Sequence, residues 1–236
     1  MSSSIIFNWL KYGKLTNKAS IKKWHFFILQ AFLELLIAFV ISKLGVIIFL
    51  TVLEKLLHLK LLDFTKPNLA SFIAEIGLNK YYLLVGLIGP IHEELMYRAP
   101  LNMSKKTILF SSFLIVFYIF AGDKVFGGNL FYLSTFIIIC LLIILSLFNS
   151  KQTLKVDNKK YPIYLSSGLF ALFHISNFFP IVHTLQIVLM PLTLLPFFVG
   201  GILFSIIRIE KGIIFSILVH IIFNLFTLII KHQVRS

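Results

Sequence analysis

Three short motifs place ionisable or hydrogen-bonding side chains inside strongly apolar stretches of the chain. The motifs are EELMYR, FALFH and HIIFN, and their polar residues are Glu93, Glu94, Arg98, His174, His220 and Asn224. Residues four apart share one face of a helix, so each motif can present its polar groups together. Carboxylates, imidazoles and an amide are side chains that can move protons and donate hydrogen bonds to a reacting group.

The first motif contains an ion pair and a second carboxylate. Glu94 precedes Arg98 by four residues, which is the favourable order for an ion pair on a helix. Glu93 lies about 100° further round the helix and so points elsewhere. A charge at the centre of a bilayer costs at least about 2.5–3.5 kcal/mol, so it normally has a partner or faces a cavity. We therefore expect Glu94 and Arg98 to neutralise each other and Glu93 to be available for chemistry.

These residue types fit the hydrolysis of a peptide bond. A buried carboxylate can act as a general base towards water, and a neutral imidazole can share that water or protonate a leaving amine. A second histidine beside an amide can donate hydrogen bonds to an oxyanion. However, Glu93, His174 and His220 would equally make a zinc site with an open position. The residue types alone leave the metal question open.

The composition excludes a soluble protein. Of the 236 residues, 58% are hydrophobic and only 13% are charged, whereas soluble domains have about 25% charged residues. The apolar residues come in runs near the roughly 20 residues that cross a bilayer as a helix. The net charge of +13 comes from loops between these runs, a pattern that indicates contact with anionic lipid rather than with nucleic acid.

We predict an all-α, polytopic bundle of about seven transmembrane helices, with six to eight possible, and an active-site cavity inside it. The predicted spans are 24–53, 81–99, 107–121, 129–149, 163–179, 184–209 and 213–231. A basic cytoplasmic segment (1–23) precedes them, and a short tail (232–236) follows. The first apolar run exceeds the bilayer thickness, so it must tilt, protrude or break near 42–45. An amphipathic, interfacial stretch then completes the region 24–80 before the helical bundle of 81–231.

The distribution of basic residues predicts a cytoplasmic N-terminus. With seven spans, the segments placed inside hold about twice as many Lys and Arg residues as those outside. An eighth span within 46–62 would reverse this placement. At 1.5 Å per residue, Glu93, His174 and His220 all fall within roughly 8–17 Å of one membrane face. Their side chains can therefore meet.

The three motifs, in this order on three predicted spans, resemble those of the CPBP intramembrane proteases. That family includes the CAAX-type II prenyl endopeptidases and the bacteriocin-processing or self-immunity (Abi) proteins. The resemblance covers residues 81–230. It implies that Arg98 holds Glu94 in place.

The resemblance also implies roles for the other motif residues. Glu93 would activate water with the help of His174, while His220 and Asn224 would stabilise the oxyanion. We do not favour an obligatory metal or another cofactor, because the Asn224 amide is a poor zinc ligand and a good oxyanion donor. A metal, if present, would be held by Glu93, His174 and His220.

The favoured function is an intramembrane endopeptidase that cleaves a lipidated or leader-bearing peptide near the cytoplasmic face of a bacterial membrane. The alternative is a non-catalytic membrane partner, such as a bacteriocin self-immunity protein or a regulator of a sensor kinase or transporter. A proton-coupled transporter is less favoured, because the sequence shows no internal symmetry. The oligomeric state is not predicted.

Further residues near the motifs are assigned to packing. Phe170, four residues before His174, is expected to fill space. Pro90 is expected to kink or start the helix of the first motif. Gly200 and Gly201 are expected to let two helices approach closely.

Overall fold

A computed structural model describes residues 24–58, 77–102, 104, 107–116, 160–175 and 184–233. Within these residues all regular structure is helical, which confirms the predicted all-α class. The helices, in chain order, are α1 (Trp24–Leu57), α2 (78–102), α3 (Thr107–Val116), α4 (Lys160–Phe173), α5 (Thr184–Lys211) and α6 (Ile213–Gln233).

Three of these helices contain stretches long and apolar enough to cross a membrane. They are His25–Leu57, Ile187–Lys211 and Ile213–Ile230. They make the chain an integral membrane protein, as the composition predicted. The count of seven spans stays a prediction, because the span at 129–149 and the basic segment 1–23 lie outside the described residues.

Helix α1 is a single unbroken helix of 34 residues. At 1.5 Å per residue it is about 51 Å long, so it tilts or protrudes rather than breaking at 42–45. Inside that stretch the Ser42 hydroxyl donates to the Phe39 carbonyl oxygen (2.9 Å), which satisfies the hydroxyl within the apolar helix. Residues 46–57, part of the stretch 46–62 in which an eighth span was the alternative, belong to this same helix and do not begin a separate one.

The apolar core of the bundle forms around α5, which packs against α1, α4 and α6. Its buried members come from all four helices: Ala31, Leu35, Ile163, Leu203, Phe204, Ile206, Ile207, Val219 and Phe223. The opposite face of α1 carries exposed residues such as Ile41 and Ile48. Exposed apolar side chains on a membrane-spanning helix are the surface expected to meet lipid.

Helix α2 alternates between normal and wide turns. Its segments are an α-helix (Leu78–Leu83), a π-helix (Leu84–Ile88), an α-helix (Gly89–Glu93), a π-helix (Glu94–Arg98) and a 3-10 turn (Ala99–Asn102). Pro90 and Pro100 each lie two residues beyond a π-helical segment. A proline lacks an N–H group and its ring clashes with the carbonyl four residues earlier, and one extra residue in the preceding turn relieves that clash. The prolines thus account for both wide turns, in line with the distortion predicted at Pro90.

Helices α4 and α5 approach closely at one glycine. A Cβ atom placed on Gly201 would lie 3.0 Å from the Cα atom of Ser167 and 3.2 Å from Cδ1 of Phe170. A Cβ atom on Gly200 would meet only Cδ1 of Leu35 at 4.0 Å, an ordinary contact. The predicted close approach is therefore confirmed at Gly201, and Gly200 has room for a side chain.

We expect Gly201→Ala to destabilise the protein, because the added methyl group meets backbone atoms of α4 that cannot rotate away. Overpacking of this kind costs about 1–3 kcal/mol. Gly200→Ala is the matched control, and its better helix propensity should leave stability unchanged or slightly higher. The measurement is the midpoint of thermal unfolding in detergent micelles. Equal midpoints for the two variants would contradict the close contact.

Candidate active site

Glu94 is a fully buried carboxylate with three polar partners. Its Oε1 lies 3.7 Å from Nε of Arg98 and 3.0 Å from Nδ1 of His220. Its Oε2 accepts a hydrogen bond from the Ser216 hydroxyl. A buried charge is costly unless it is paired and hydrogen-bonded, and both oxygens here have a donor. The predicted ion pair of Glu94 and Arg98 is confirmed.

Arg98 is also fully buried and is enclosed by aromatic rings. Its guanidinium carbon lies 4.0 Å from the ring centroid of Phe170, 5.6 Å from that of Phe204 and 5.8 Å from that of Tyr97. Within the described part of the chain, its nitrogens have no hydrogen-bond partner. The negative faces of the rings attract the cation, so they and Glu94 together stabilise it. Phe170 thus does more than fill space.

Glu93 lies beside Glu94 in sequence but in a different environment. Its side chain is 26% exposed, whereas that of Glu94 is 0% exposed. Its Oε2 lies 3.4 Å from Nε2 of His220. The two carboxylates thus differ in exposure, but both contact His220 instead of pointing to separate places.

His220 stands between the two carboxylates. Its Nδ1 faces Glu94 and its Nε2 faces Glu93, while its ring stacks on Phe204 with centroids 4.1 Å apart. His220 therefore links the fully buried acid Glu94 to the partly exposed acid Glu93.

His174 occupies a single turn that follows α4, and its hydrogen bond fixes its tautomer. Its Nδ1 lies 2.8 Å from the carbonyl oxygen of Phe170. A carbonyl only accepts, so Nδ1 carries the hydrogen and the neutral ring has a bare Nε2. The ring stacks on Phe197, with centroids 4.1 Å apart. It lies within electrostatic range of Glu93 and His220.

The structure brings together the helices that the matched depths predicted to meet. Glu93 and His220 are in contact, and the rings of His174 and His220 lie 4.6 and 5.9 Å from the ring of Phe170. A base, a bare imidazole nitrogen and a potential proton donor therefore share one region of the bundle.

Asn224 contacts the backbone of α2. Its Nδ2 donates to the carbonyl oxygen of Val85 at 3.0 Å. An amide group has two hydrogens, so one remains for another acceptor. The predicted role of Asn224 as an oxyanion donor stays a prediction, and in the structure the side chain joins α6 to the first wide turn of α2.

Ser216 is a site residue that the sequence reasoning missed. It lies four residues before His220, as Asn224 lies four residues after it, so the three share one face of α6. All three contact α2: Ser216 and His220 bind Glu94, and Asn224 binds the backbone. The four-residue spacing was a signal that could have identified Ser216.

Serine side chains from two other helices hold the second wide turn of α2. The Ser111 hydroxyl of α3 donates to the Leu95 carbonyl at 2.8 Å, and the Ser166 hydroxyl of α4 donates to the Tyr97 carbonyl at 2.7 Å. The backbone beside Arg98 is thus fixed from two sides.

The residues suggested for zinc do not form a ligand set in this arrangement. Among the described residues, no group of three or more His, Cys, Asp or Glu side chains is placed to hold a metal ion. His220 directs one ring nitrogen at Glu94 and the other at Glu93. We therefore derive the chemistry of Glu93, His174 and His220 without a metal.

A helical membrane protein that gathers two acids, two histidines and an arginine in one region of its bundle has the features of an intramembrane hydrolase. A family model described as Type II CAAX prenyl endopeptidase Rce1-like matches residues 75–226. The match covers more than half of the chain and includes all three motifs, so the chain belongs to this family. No curated protein and no solved structure matched the chain.

The family membership confirms the resemblance inferred from the motifs and indicates a CAAX-type protease embedded in the membrane. The bacteriocin-processing and immunity functions of the broader group stay predictions.

We expect the buried pair of Glu94 and Arg98 to be strongly coupled in stability. Glu94→Gln leaves the guanidinium unpaired, and Arg98→Met leaves the carboxylate with only Ser216 and His220. Each single change should cost about 3–5 kcal/mol, since breaking a buried pair strands a charge. The double variant should lose less free energy of unfolding than the two single variants lose together. Unfolding free energies in mixed micelles would measure this coupling, and strictly additive losses would contradict it.

Proposed function

We propose that the protein is an intramembrane endopeptidase in which Glu93 activates water to hydrolyse a peptide bond. The observation that supports this most directly is the difference between the two neighbouring acids. Glu94 is neutralised by Arg98 and fully buried, while Glu93 is partly exposed and lies 3.4 Å from His220. The site therefore holds one carboxylate that is partly exposed and is not paired with the arginine, which supports its use as the base.

The first step is the attack of water on the peptide carbonyl carbon. Glu93, as a carboxylate, takes one proton from the water. The bare Nε2 of His174 accepts a hydrogen bond from the same water and orients it, because its Nδ1 hydrogen is already committed to Phe170. The hydroxide that forms adds to the carbonyl carbon, and the carbonyl oxygen becomes an oxyanion.

His220 then stabilises the oxyanion. Nε2 of His220, which faces Glu93, donates a hydrogen bond to the oxyanion when it carries a proton. Glu94 at Nδ1 and the Phe204 ring hold the imidazole in place, so little reorganisation is required. The remaining amide hydrogen of Asn224 is a second possible donor. The carbon–nitrogen bond breaks as Glu93 passes its proton to the leaving amine, which regenerates the carboxylate.

The proposed substrate is a peptide held at the membrane by a lipid chain, as the name of the family suggests for its members. Helix α5 ends at Lys211 and α6 begins at Ile213, so His220 lies seven residues, or about 10 Å, from that end of the bundle. A lipid anchor holds a peptide at this level of the membrane. A leader-bearing peptide is the alternative substrate, and the cytoplasmic face is the side proposed for cleavage.

We expect Glu93→Gln to reduce cleavage by at least about 10²–10⁴-fold, because an amide cannot take the proton from water. Glu54→Gln is the matched control: it makes the same change in α1, outside the residues that the family model matches, and it should retain activity. The measurement uses purified full-length protein in lipid nanodiscs and a fluorogenic peptide that ends in a prenylated CAAX sequence.

Cleavage by Glu93→Gln at the rate of the unmodified chain would remove Glu93 from the mechanism. If cells that carry the Glu93→Ala or His174→Ala variant also behaved like cells that carry the unmodified protein, the protein would act as a non-catalytic membrane partner instead.

The mechanism also requires cleavage to be independent of a bound metal. We expect incubation with EDTA or 1,10-phenanthroline to leave the cleavage rate unchanged, while the same treatment stops a zinc peptidase run in parallel. A loss of activity that added zinc restores would assign a metal to Glu93, His174 and His220.

A further inference from the structure

One carbonyl group in the first wide turn of α2 has no donor within its own helix. The Val85 carbonyl would accept from residue 89 in a normal turn or from residue 90 in a wide turn. The Gly89 N–H donates to the Leu84 carbonyl instead. Pro90 has no N–H group. The helix therefore leaves the Val85 carbonyl without a partner.

The same arrangement occurs ten residues later. The Leu95 carbonyl would accept from residue 99 or from residue 100. The Ala99 N–H donates to the Glu94 carbonyl, and Pro100 has no N–H group. In both cases the carbonyl without a helical donor lies five residues before a proline.

Each of these carbonyls receives a hydrogen bond from a side chain of another helix. Asn224 donates to the Val85 carbonyl at 3.0 Å, and Ser111 donates to the Leu95 carbonyl at 2.8 Å. An unpaired backbone carbonyl in an apolar environment is costly. The two donors therefore replace the two hydrogen bonds that the prolines remove.

We propose that Asn224 is a positioning residue that compensates for Pro90 and thereby fixes the register of α2 against α6. Val85 lies eight residues before Glu93, and Asn224 lies four residues after His220. The hydrogen bond to Val85 and the contact between Glu93 and His220 thus join the same two helices at two separate points. Two such points determine how far α2 can slide or turn relative to α6.

The backbone packing supports this assignment. At Gly86, next to Val85, an added Cβ atom would lie 2.5 Å from Cδ2 of Leu225, next to Asn224. The two helices are therefore close enough here for the short amide side chain to reach the backbone of α2.

The first test is a double-mutant cycle on cleavage. Pro90→Ala restores an N–H group at the position that can serve the Val85 carbonyl. We expect Asn224→Ala to lower kcat/KM by about tenfold or more in the unmodified chain. The loss should shrink to about threefold or less in the Pro90→Ala chain. An equal loss in both chains would overturn the proposal and make Asn224 a direct donor to the substrate.

The second wide turn supplies the matched control. Pro100→Ala restores an N–H group that can serve the Leu95 carbonyl, so it should reduce the loss of kcat/KM caused by Ser111→Ala. It should leave the loss caused by Asn224→Ala unchanged. Rescue of Asn224→Ala by Pro100→Ala would show a general effect on helix stability and would contradict the specific pairing with Pro90.

The second test does not depend on cleavage or on the folding of a proline variant. The sequence contains two Val–Gly pairs, Val85–Gly86 and Val199–Gly200. Labelling with [1-¹³C]valine and [¹⁵N]glycine therefore isolates two carbonyl resonances in an HNCO spectrum. In Asn224→Ala the Val85 resonance should move upfield as its hydrogen bond is lost, and the Val199 resonance should stay in place. An unmoved Val85 resonance would overturn the proposal, whether or not the protein cleaves peptides.

Discussion

The burial of the Glu94 carboxylate is the constraint on which the site depends. A fully buried charge requires a counter-ion and a donor for each oxygen. Arg98 on the same helix supplies the counter-ion, but it is itself buried and needs the ring of Phe170 beside it. Ser216 and His220 supply the donors from α6. One carboxylate thus determines which faces of α2, α4 and α6 must meet.

The same constraint divides the two acids into different roles. Because Glu94 occupies Nδ1 of His220, the other ring nitrogen is directed at Glu93. The stacked ring of Phe204 restricts rotation of the imidazole. A buried structural acid therefore orients the histidine that the partly exposed acid contacts. Removing Glu94 would alter the orientation of His220 and not only the local charge.

Part of this site was predictable because it follows from local helix geometry. The spacing of Glu94 and Arg98 predicted their pairing, and the rise per residue predicted that Glu93 and His220 lie at one level. The partner of Asn224 was not predictable, because it depends on a wide turn that breaks the regular period of α2 and on the register between two helices. A sequence pattern interpreted at 3.6 residues per turn predicts neither the position of a wide turn nor the register between two helices. The fold class and the membrane location followed from composition alone, since long apolar runs allow few other structures.

The prolines of α2 have a consequence for how the site assembles. An isolated α2 in lipid would leave the Val85 and Leu95 carbonyls without donors, since Pro90 and Pro100 remove the N–H groups that would serve them. The missing donors come from α3 and α6, so the wide turns become favourable only when the bundle has packed. Glu93 lies between these two turns, so the contacts that hold the turns also help to position it. The carboxylate is therefore placed beside His220 by the packing of the helices and not by the α2 sequence alone.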